Sequence, residues 1–72
     1  MKNNLFYEKL GINIKKQRKL QSLTQQNLAD MAGITLNHMG KIEIAYSKPS
    51  LDTLLDIANA LDITISELCK FE

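Results

Sequence analysis

Apolar side chains recur along this chain at intervals of three and four residues, the spacing of a helix with one buried face. The pattern predicts five helices. The first runs from about Leu5 to about Gln21, with Asn4 as a candidate N-cap. Its inward stripe consists of Phe6, Leu10 and Ile14. No strand is predicted, because a helix cap explains the short apolar run at residues 63–66 better, and the fold class is therefore all-α.

Each of the other four helices follows a threonine or serine whose hydroxyl can accept a backbone N–H of the first turn. These helices are predicted after Thr24 to about Met31, after Thr35 to about Ile44, after Ser50 to about Leu61, and after Thr64. Thr64 and Glu67 have the spacing of a capping box. The fourth helix is predicted to bury Leu51, Leu54, Leu55, Ala58 and Leu61, and the fifth contains Ile65, Leu68 and Phe71.

Residues 25–44 have the pattern of two short helices that cross through a tight turn. Leu28 and Ala32 lie one turn apart on the inner side of the second helix, and Met39 and Ile42 do so on the third. Gly33 stands where the chain leaves the second helix, and we predict a positive φ there. This helix-turn-helix projects the third helix of the chain outward, and the commonest use of that geometry is insertion of the projecting helix into the DNA major groove.

The length of 72 residues corresponds to a single domain, residues 1–72, which is small enough that oligomerisation would help to stabilise it. Four carboxylates interrupt the longest apolar stretch, residues 51–68, so no membrane span is predicted. The amino-terminal segment MKNNLFYEKLG carries an acidic Glu8 and no uninterrupted apolar run, so no secretory signal is predicted. The single cysteine, Cys69, cannot form an internal disulfide, which fits a reducing cytoplasm.

The net charge of +1 conceals an uneven distribution of charge along the chain. Residues 1–48 carry eight basic and three acidic side chains, a net +5, whereas residues 49–72 carry one basic and five acidic side chains, a net −4. This asymmetry fits a basic face that orients the protein towards phosphates. An accidental distribution over a solvated surface explains it equally well.

The chain resembles the compact five-helix DNA-binding domain of the lambdoid phage repressors and Cro, the XRE family. The resemblance covers about residues 9–70 and rests on five segments in the family's order and spacing: LGINIKKQR, LTQQNLADMAGI, KIE, PSLDTLLDIANALDI and ISEL. It implies a sequence-specific transcriptional regulator of double-stranded DNA, a repressor that binds a palindromic operator as a homodimer. The half-sites of such an operator lie about one helical turn, roughly 34 Å, apart.

The resemblance also implies roles for individual residues. Base contacts are implied for Thr35, Leu36, Asn37, Gly40 and Lys41, and phosphate contacts for Gln25, His38, Tyr46, Ser47 and Lys48. The chemistry agrees, because asparagine can pair with adenine, lysine can donate to guanine or a phosphate, and leucine can pack on a thymine methyl. Gln25 lies at a helix N-terminus, which attracts anions. The alternative is that Gln25 and His38 are ordinary solvated side chains.

Three positions depart from the family pattern. Gly40 replaces a residue with a side chain and costs about 1 kcal/mol of helix stability relative to alanine; it either permits close approach to DNA or is neutral. Ala45 stands where a glycine usually ends the reading helix, so we expect that helix to run on or the loop to take another shape. Asn27 replaces a capping-box glutamate, which weakens the predicted cap.

Two further contacts are expected. Arg18 and Glu43 match family positions that pair between the first helix and the end of the third, the alternative being two solvated charges.

The carboxy-terminal region also offers more apolar side chains than one short helix can bury. A dimer interface is therefore predicted from Ile57, Ile63, Ile65, Leu68 and Phe71, unless Ile65 and Leu68 fold inward and Phe71 frays.

Other functions find less support in the sequence. One histidine, one cysteine and scattered carboxylates provide no metal-ligand spacing, no nucleophile with a base and no phosphate-binding glycine loop, so neither an enzyme nor a cofactor or metal site is predicted. The alternative to a DNA-binding regulator is a protein-binding module on the same fold, such as an antitoxin-like or adaptor protein. An apolar outer face of the third helix would favour that module, whereas Asn37 and Lys41 favour DNA.

Overall fold

The structure, a computed structural model, describes residues 2–71, with side chains from residue 4 onward. Within that range the fold is all-helical, as predicted, and consists of α1 (Lys2–Leu20), α2 (Gln25–Ala32), α3 (Leu36–Glu43), α4 (Leu51–Ala60) and α5 (Ile65–Leu68). Because α1 begins before Asn4, that residue lies inside the helix and the prediction of an N-cap there is wrong. None of the helices described is long and apolar enough to cross a membrane. The charges of Lys2 and Glu72 lie outside the described side chains.

The predicted N-caps are confirmed for the four helices after α1. Each cap hydroxyl accepts the backbone N–H three residues later at 3.0–3.2 Å, in Thr24, Thr35, Ser50 and Thr64. The backbone N–H of Thr24 also donates to Oδ1 of Asn27 at 3.1 Å. The asparagine amide therefore completes the capping box of α2 in place of a glutamate carboxylate.

Four of the helices end in the same left-handed turn. The residue at the turn is Gly33 after α2, with φ of 74° as predicted, and Ser22, Ala45 and Asp62 after α1, α3 and α4, with φ of 58°, 62° and 57°. The residue after each turn donates its N–H to the carbonyl five positions earlier, as Tyr46 does to Lys41 at 2.8 Å. Ala45 thus ends α3 in the conformation that usually holds glycine, and the expectation of a longer helix or another turn is wrong. The left-handed conformation costs alanine about 1–2 kcal/mol.

The core is formed by apolar side chains from all five helices and from the turn after α4. Its largest fully buried members are Leu10, Ile14, Leu28, Met39, Ile42, Ile57, Leu61 and Leu68. Three predictions of burial are wrong, because Leu51, Leu55 and Phe6 are 65%, 38% and 39% exposed. Both flanks of α4 carry apolar residues, and its packing against α2 buries the flank that contains Ile57 instead of the flank that contains Leu55.

Two side-chain amides, one in α1 and one in the turn after it, hold the ends of the last two helices. The side-chain amide of Asn13 donates to the carbonyl of Leu68 at 2.6 Å, and that of Gln21 donates to the carbonyl of Leu61 at 2.6 Å. Carbonyls at a helix C-terminus have no partner within the helix. The two amides therefore supply the missing hydrogen bonds at the ends of α5 and α4 and fasten these ends to α1 and to the turn after it.

Helix α1 approaches the end of α3 very closely at Gly11. A Cβ placed there would lie 2.5 Å from the carbonyl oxygen of Glu43 and 2.7 Å from that of Ile42. Real Cβ atoms do not come this close to backbone. The glycine therefore allows α1 to rest directly on the last turn of α3.

Candidate nucleic-acid interface

Buried side chains fix α3 against α2. Leu28 and Ala29 of α2 and Met39 and Ile42 of α3 are at most 1% exposed and pack in one core. The opposite side of α3 faces outward as a consequence, since residues three and four apart share a face of a helix. The helix-turn-helix expected from residues 25–44 is confirmed.

The five residues expected to contact bases lie together at the surface of α3 and its N-cap. Thr35, Leu36 and Asn37 are exposed, and Gly40 and Lys41 are half-buried. Asn37 and Lys41 are one turn apart on the side opposite the buried residues of α3. The hydroxyl of Thr35 accepts the backbone N–H of His38 at 3.0 Å, so it caps the helix. His38 itself is half-buried in the first turn.

A buried ion pair ties the end of α3 to α1. Arg18 donates through Nε to Oε2 of Glu43 at 2.7 Å and through Nη2 to Oε1 at 3.1 Å. The two side chains are only 8% and 2% exposed. Nη1 of Arg18 donates to the carbonyl of Leu23 at 2.8 Å, in the turn before α2. The expected pairing is present, and it neutralises the single carboxylate of α3 while it joins α1, α3 and the turn between α1 and α2.

Gln25 makes a contact that the sequence did not indicate. Its Nε2 donates to Oε1 of Glu43 at 3.0 Å, so the buried carboxylate accepts bonds from both Arg18 and Gln25. The bond joins residues 18 positions apart, and no local motif signals it. It fixes the amide at the N-terminus of α2 and leaves a second N–H on the same nitrogen for another acceptor.

The loop after α3 carries the remaining candidates for phosphate contacts. Tyr46 and Lys48 are exposed and Ser47 is half-buried. Nζ of Lys41 lies 5.5 Å from the centroid of the Tyr46 ring, and Nζ of Lys48 lies 5.7 Å from the centroid of the Tyr7 ring on α1. Both distances are within the range of cation–π contacts. The loop is therefore connected to α3 at one end and to α1 at the other.

The predicted dimer interface needs a correction. Ile57 and Leu68 are 0% exposed and belong to the core, so they cannot contact a partner, and the prediction is wrong for both. Ile63, Ile65 and Phe71 are half-buried and pack against that core. The ring of Phe71 lies 5.4 Å from that of Phe6, measured between centroids, and this contact holds Phe71 on α1.

Groups suited to metal binding or nucleophilic chemistry are sparse. Within residues 2–71 no three histidine, cysteine, aspartate or glutamate side chains are grouped so that they could hold a metal ion. Burial raises the pKa of the Cys69 thiol, which keeps the sulfur protonated near neutral pH.

Comparison with known proteins agrees with this geometry. The family model HTH_3, described as helix-turn-helix, matches residues 14–68. The HTH-type transcriptional regulator YqaE of Bacillus subtilis is 43% identical over 60 residues, which cover 83% of this chain and 52% of that protein. The cryptic phage CTXphi transcriptional repressor RstR of Vibrio cholerae is 39% identical over 61 residues, which cover 85% and 54%. The chain spans about half the length of these two relatives.

A solved structure shows the same arrangement of helices over nearly its whole length. The restriction-modification controller protein C.AhdI of Aeromonas hydrophila superposes with a TM-score of 0.85 at 32% sequence identity. The match covers 86% of this chain and 94% of that one. The resemblance expected from five sequence segments is thereby confirmed, and the chain belongs to the HTH_3 family of helix-turn-helix transcriptional regulators, the XRE type.

Proposed function

We propose that this chain binds double-stranded DNA sequence-specifically and acts as a transcriptional repressor. The observation that carries the proposal is the outer side of α3, where Asn37 and Lys41 lie one turn apart at the surface. Buried packing against α2 and the Arg18–Glu43 pair hold that side in place. A fixed helix with an amide and an ammonium on its free side has the donors that base edges in the major groove accept.

The individual contacts follow from the chemistry of each side chain. Asn37 pairs with an adenine, Lys41 donates to a guanine, and Leu36 packs on a thymine methyl. Thr35 and Gly40 border the same bases. Phosphates are bound from two sides, by Gln25 at the N-terminus of α2 and by His38, Ser47 and Lys48 around α3, whereas the ring of Tyr46 lies against Lys41. The second N–H of the Gln25 amide supports this role, because Glu43 holds the amide in place without using all of its donors.

The protein further acts as a homodimer on a palindromic operator, in the cytoplasm. The half-buried Ile63, Ile65 and Phe71 are the interface residues that remain after Ile57 and Leu68 are excluded. Phe71→Glu is expected to give a folded monomer with weaker operator binding, as measured by sedimentation and circular dichroism. A wild-type protein that sediments as a monomer at high micromolar concentration would rule out the dimer.

The experiment that tests DNA recognition is selection of bound sites from random duplexes, followed by binding of variants to the selected site. A palindromic consensus is expected, and the logarithm of the affinity should fall linearly with the logarithm of the salt concentration. Lys41→Ala should cost about 1–3 kcal/mol and relax the preference at one base pair. The matched control is Lys70→Ala, in the acidic carboxy-terminal region, which should leave the preference unchanged. A protein without affinity for any duplex at low salt would contradict the proposal.

The alternative of a protein-binding module has one observation in its favour. Ile44, at the end of α3, is 74% exposed and Leu36, at its start, is 44% exposed. These two side chains offer apolar surface at the two ends of α3. If no duplex is selected, capture of a protein partner that Leu36→Asp and Ile44→Asp abolish would identify this function instead.

A further inference from the structure

The turn after α3 brings an aromatic ring against the lysine of the outer face. Nζ of Lys41 lies 5.5 Å from the centroid of the Tyr46 ring, within the distance at which an ammonium is attracted to the face of an aromatic ring. The backbone joins the same two residues, because the N–H of Tyr46 donates to the carbonyl of Lys41 at 2.8 Å. Tyr46 therefore contacts Lys41 through both its main chain and its side chain.

The backbone of the turn explains why these two residues meet. Ala45 takes a left-handed conformation with φ of 62°, and its N–H donates to the carbonyl of Ile42 at 3.1 Å. In a helix end of this kind, the residue after the left-handed position returns to the residue that begins the last turn. These residues are Tyr46 and Lys41. The placement of the ring follows from the turn that closes α3.

The Tyr46 side chain has no role in the core that would account for its position. It is 76% exposed, the highest value among the large apolar and aromatic side chains of the described residues. Lys41, by contrast, is half-buried although it lies on the outer side of α3. A lysine on a free surface samples many rotamers, and it loses this freedom when it binds. A ring that already holds the ammonium in the free protein reduces the conformational entropy that the lysine loses on binding.

We propose that Tyr46 is a positioning residue that holds the Lys41 ammonium where α3 presents it to DNA, so that binding and base preference at Lys41 depend on the ring of Tyr46. This inference rests on the proposed DNA-binding function. It assigns the Tyr46 ring a role distinct from a phosphate contact through the Tyr46 hydroxyl, and the two roles predict different results for the same variants. The ring is needed in the first case and the hydroxyl in the second.

The first measurement uses the free protein. Nuclear magnetic resonance should show the ε-methylene protons of Lys41 shifted upfield by the ring current of Tyr46. The shift should persist in Tyr46→Phe and disappear in Tyr46→Leu, while the signals of Lys48, which lies over Tyr7, should not change. Because Tyr46 is exposed, both variants should remain folded and unfold cooperatively on heating. Lys41 signals that are the same in all three proteins would overturn the proposal.

The second measurement uses the duplex selected by the wild-type protein. Tyr46→Leu should weaken binding about two- to fivefold, the size of an exposed cation–π contact, and relax the preference at the base pair that Lys41→Ala relaxes. Tyr46→Phe should bind as the wild type does. In a Lys41→Ala background, Tyr46→Leu should have no further effect.

These measurements distinguish a failure of the proposed DNA-binding function from a failure of the positioning role of Tyr46. A wild-type protein that selects no duplex contradicts the proposed function. A wild-type protein that binds, with Lys41→Ala weakened and Tyr46→Leu unchanged, overturns the positioning role alone. Equal losses in Tyr46→Phe and Tyr46→Leu, or an undiminished loss from Tyr46→Leu in the Lys41→Ala background, would also overturn it in favour of a direct contact between Tyr46 and DNA.

Discussion

Two helical glycines, Gly11 and Gly40, are expected to respond to the same substitution with opposite changes in stability. At Gly11 an added Cβ would meet the carbonyl oxygens of Glu43 and Ile42 at 2.5 and 2.7 Å. At Gly40 the nearest atom is Oε1 of Gln25 at 3.8 Å, an ordinary van der Waals distance. Replacing glycine by alanine therefore raises helix propensity at both positions, but only at Gly40 is there space for the new methyl group.

The expected magnitudes follow from that difference. Alanine is more favourable than glycine inside a helix by about 1 kcal/mol, and Gly40→Ala should show this gain. In Gly11→Ala the methyl group has to move about 0.9 Å away from the backbone of α3 to reach ordinary contact at 3.4 Å. Backbone cannot yield as a flexible side chain does, so we place the cost near the upper end of overpacking, about 3 kcal/mol. The net result is a loss of about 2 kcal/mol.

Thermal and urea unfolding of the wild type and both variants, followed by far-ultraviolet circular dichroism, measures these changes. A change of 1 kcal/mol corresponds to about 4–8 °C in melting temperature for a domain of this size. The melting temperature should therefore fall by roughly 8–16 °C in Gly11→Ala and rise by roughly 4–8 °C in Gly40→Ala. If Gly11→Ala is as stable as Gly40→Ala, the close approach of α1 to the end of α3 is wrong.

Three further predictions concern stability. Ala45→Gly should stabilise the protein by about 1 kcal/mol in urea unfolding, because glycine adopts the left-handed turn without steric cost; an unchanged midpoint would show that the turn differs in solution. Hydrogen bonds from the backbone and hydroxyl of Thr64 hold the pKa of Glu67 below its ordinary value of 4.5, so the stability it contributes is present above that value and is lost as the pH falls through the lowered pKa. Melting temperatures should accordingly fall less steeply on acidification in Glu67→Gln than in the wild type, and identical pH profiles would contradict the capping interaction. Arg18→Met should cost about 3–5 kcal/mol because it leaves the Glu43 carboxylate buried without a countercharge, and a double-mutant cycle with Glu43→Leu should show strong coupling; additive losses would refute the pairing.

The four helices after α1 and their N-caps could be predicted from the sequence because the signals are local. The N-caps Thr24, Thr35, Ser50 and Thr64 bond to atoms three residues away. The left-handed conformation of Gly33 likewise depends only on the turn in which it lies. The candidates for base contacts on α3 could also be predicted, because helical spacing places Asn37 and Lys41 on one face of the helix independently of the rest of the fold. Ala45 is an exception, since residue type suggested another turn, whereas α3 ends with the same N–H to carbonyl bond over five positions, from Tyr46 to Lys41, that closes α1, α2 and α4.

The sequence by itself determined the class of fold, the positions of the helices and the face of α3 that is free. Only the tertiary structure decided which flank of α4 is buried, and thereby removed Ile57 from the surface and left Leu55 on it. It also decided that Gly11 lies on the end of α3 and that Gln25 shares the Glu43 carboxylate with Arg18. The physical reason is that burial, close approach and long-range hydrogen bonds depend on partners from other helices, whereas periodicity and capping depend on neighbours within one or two turns.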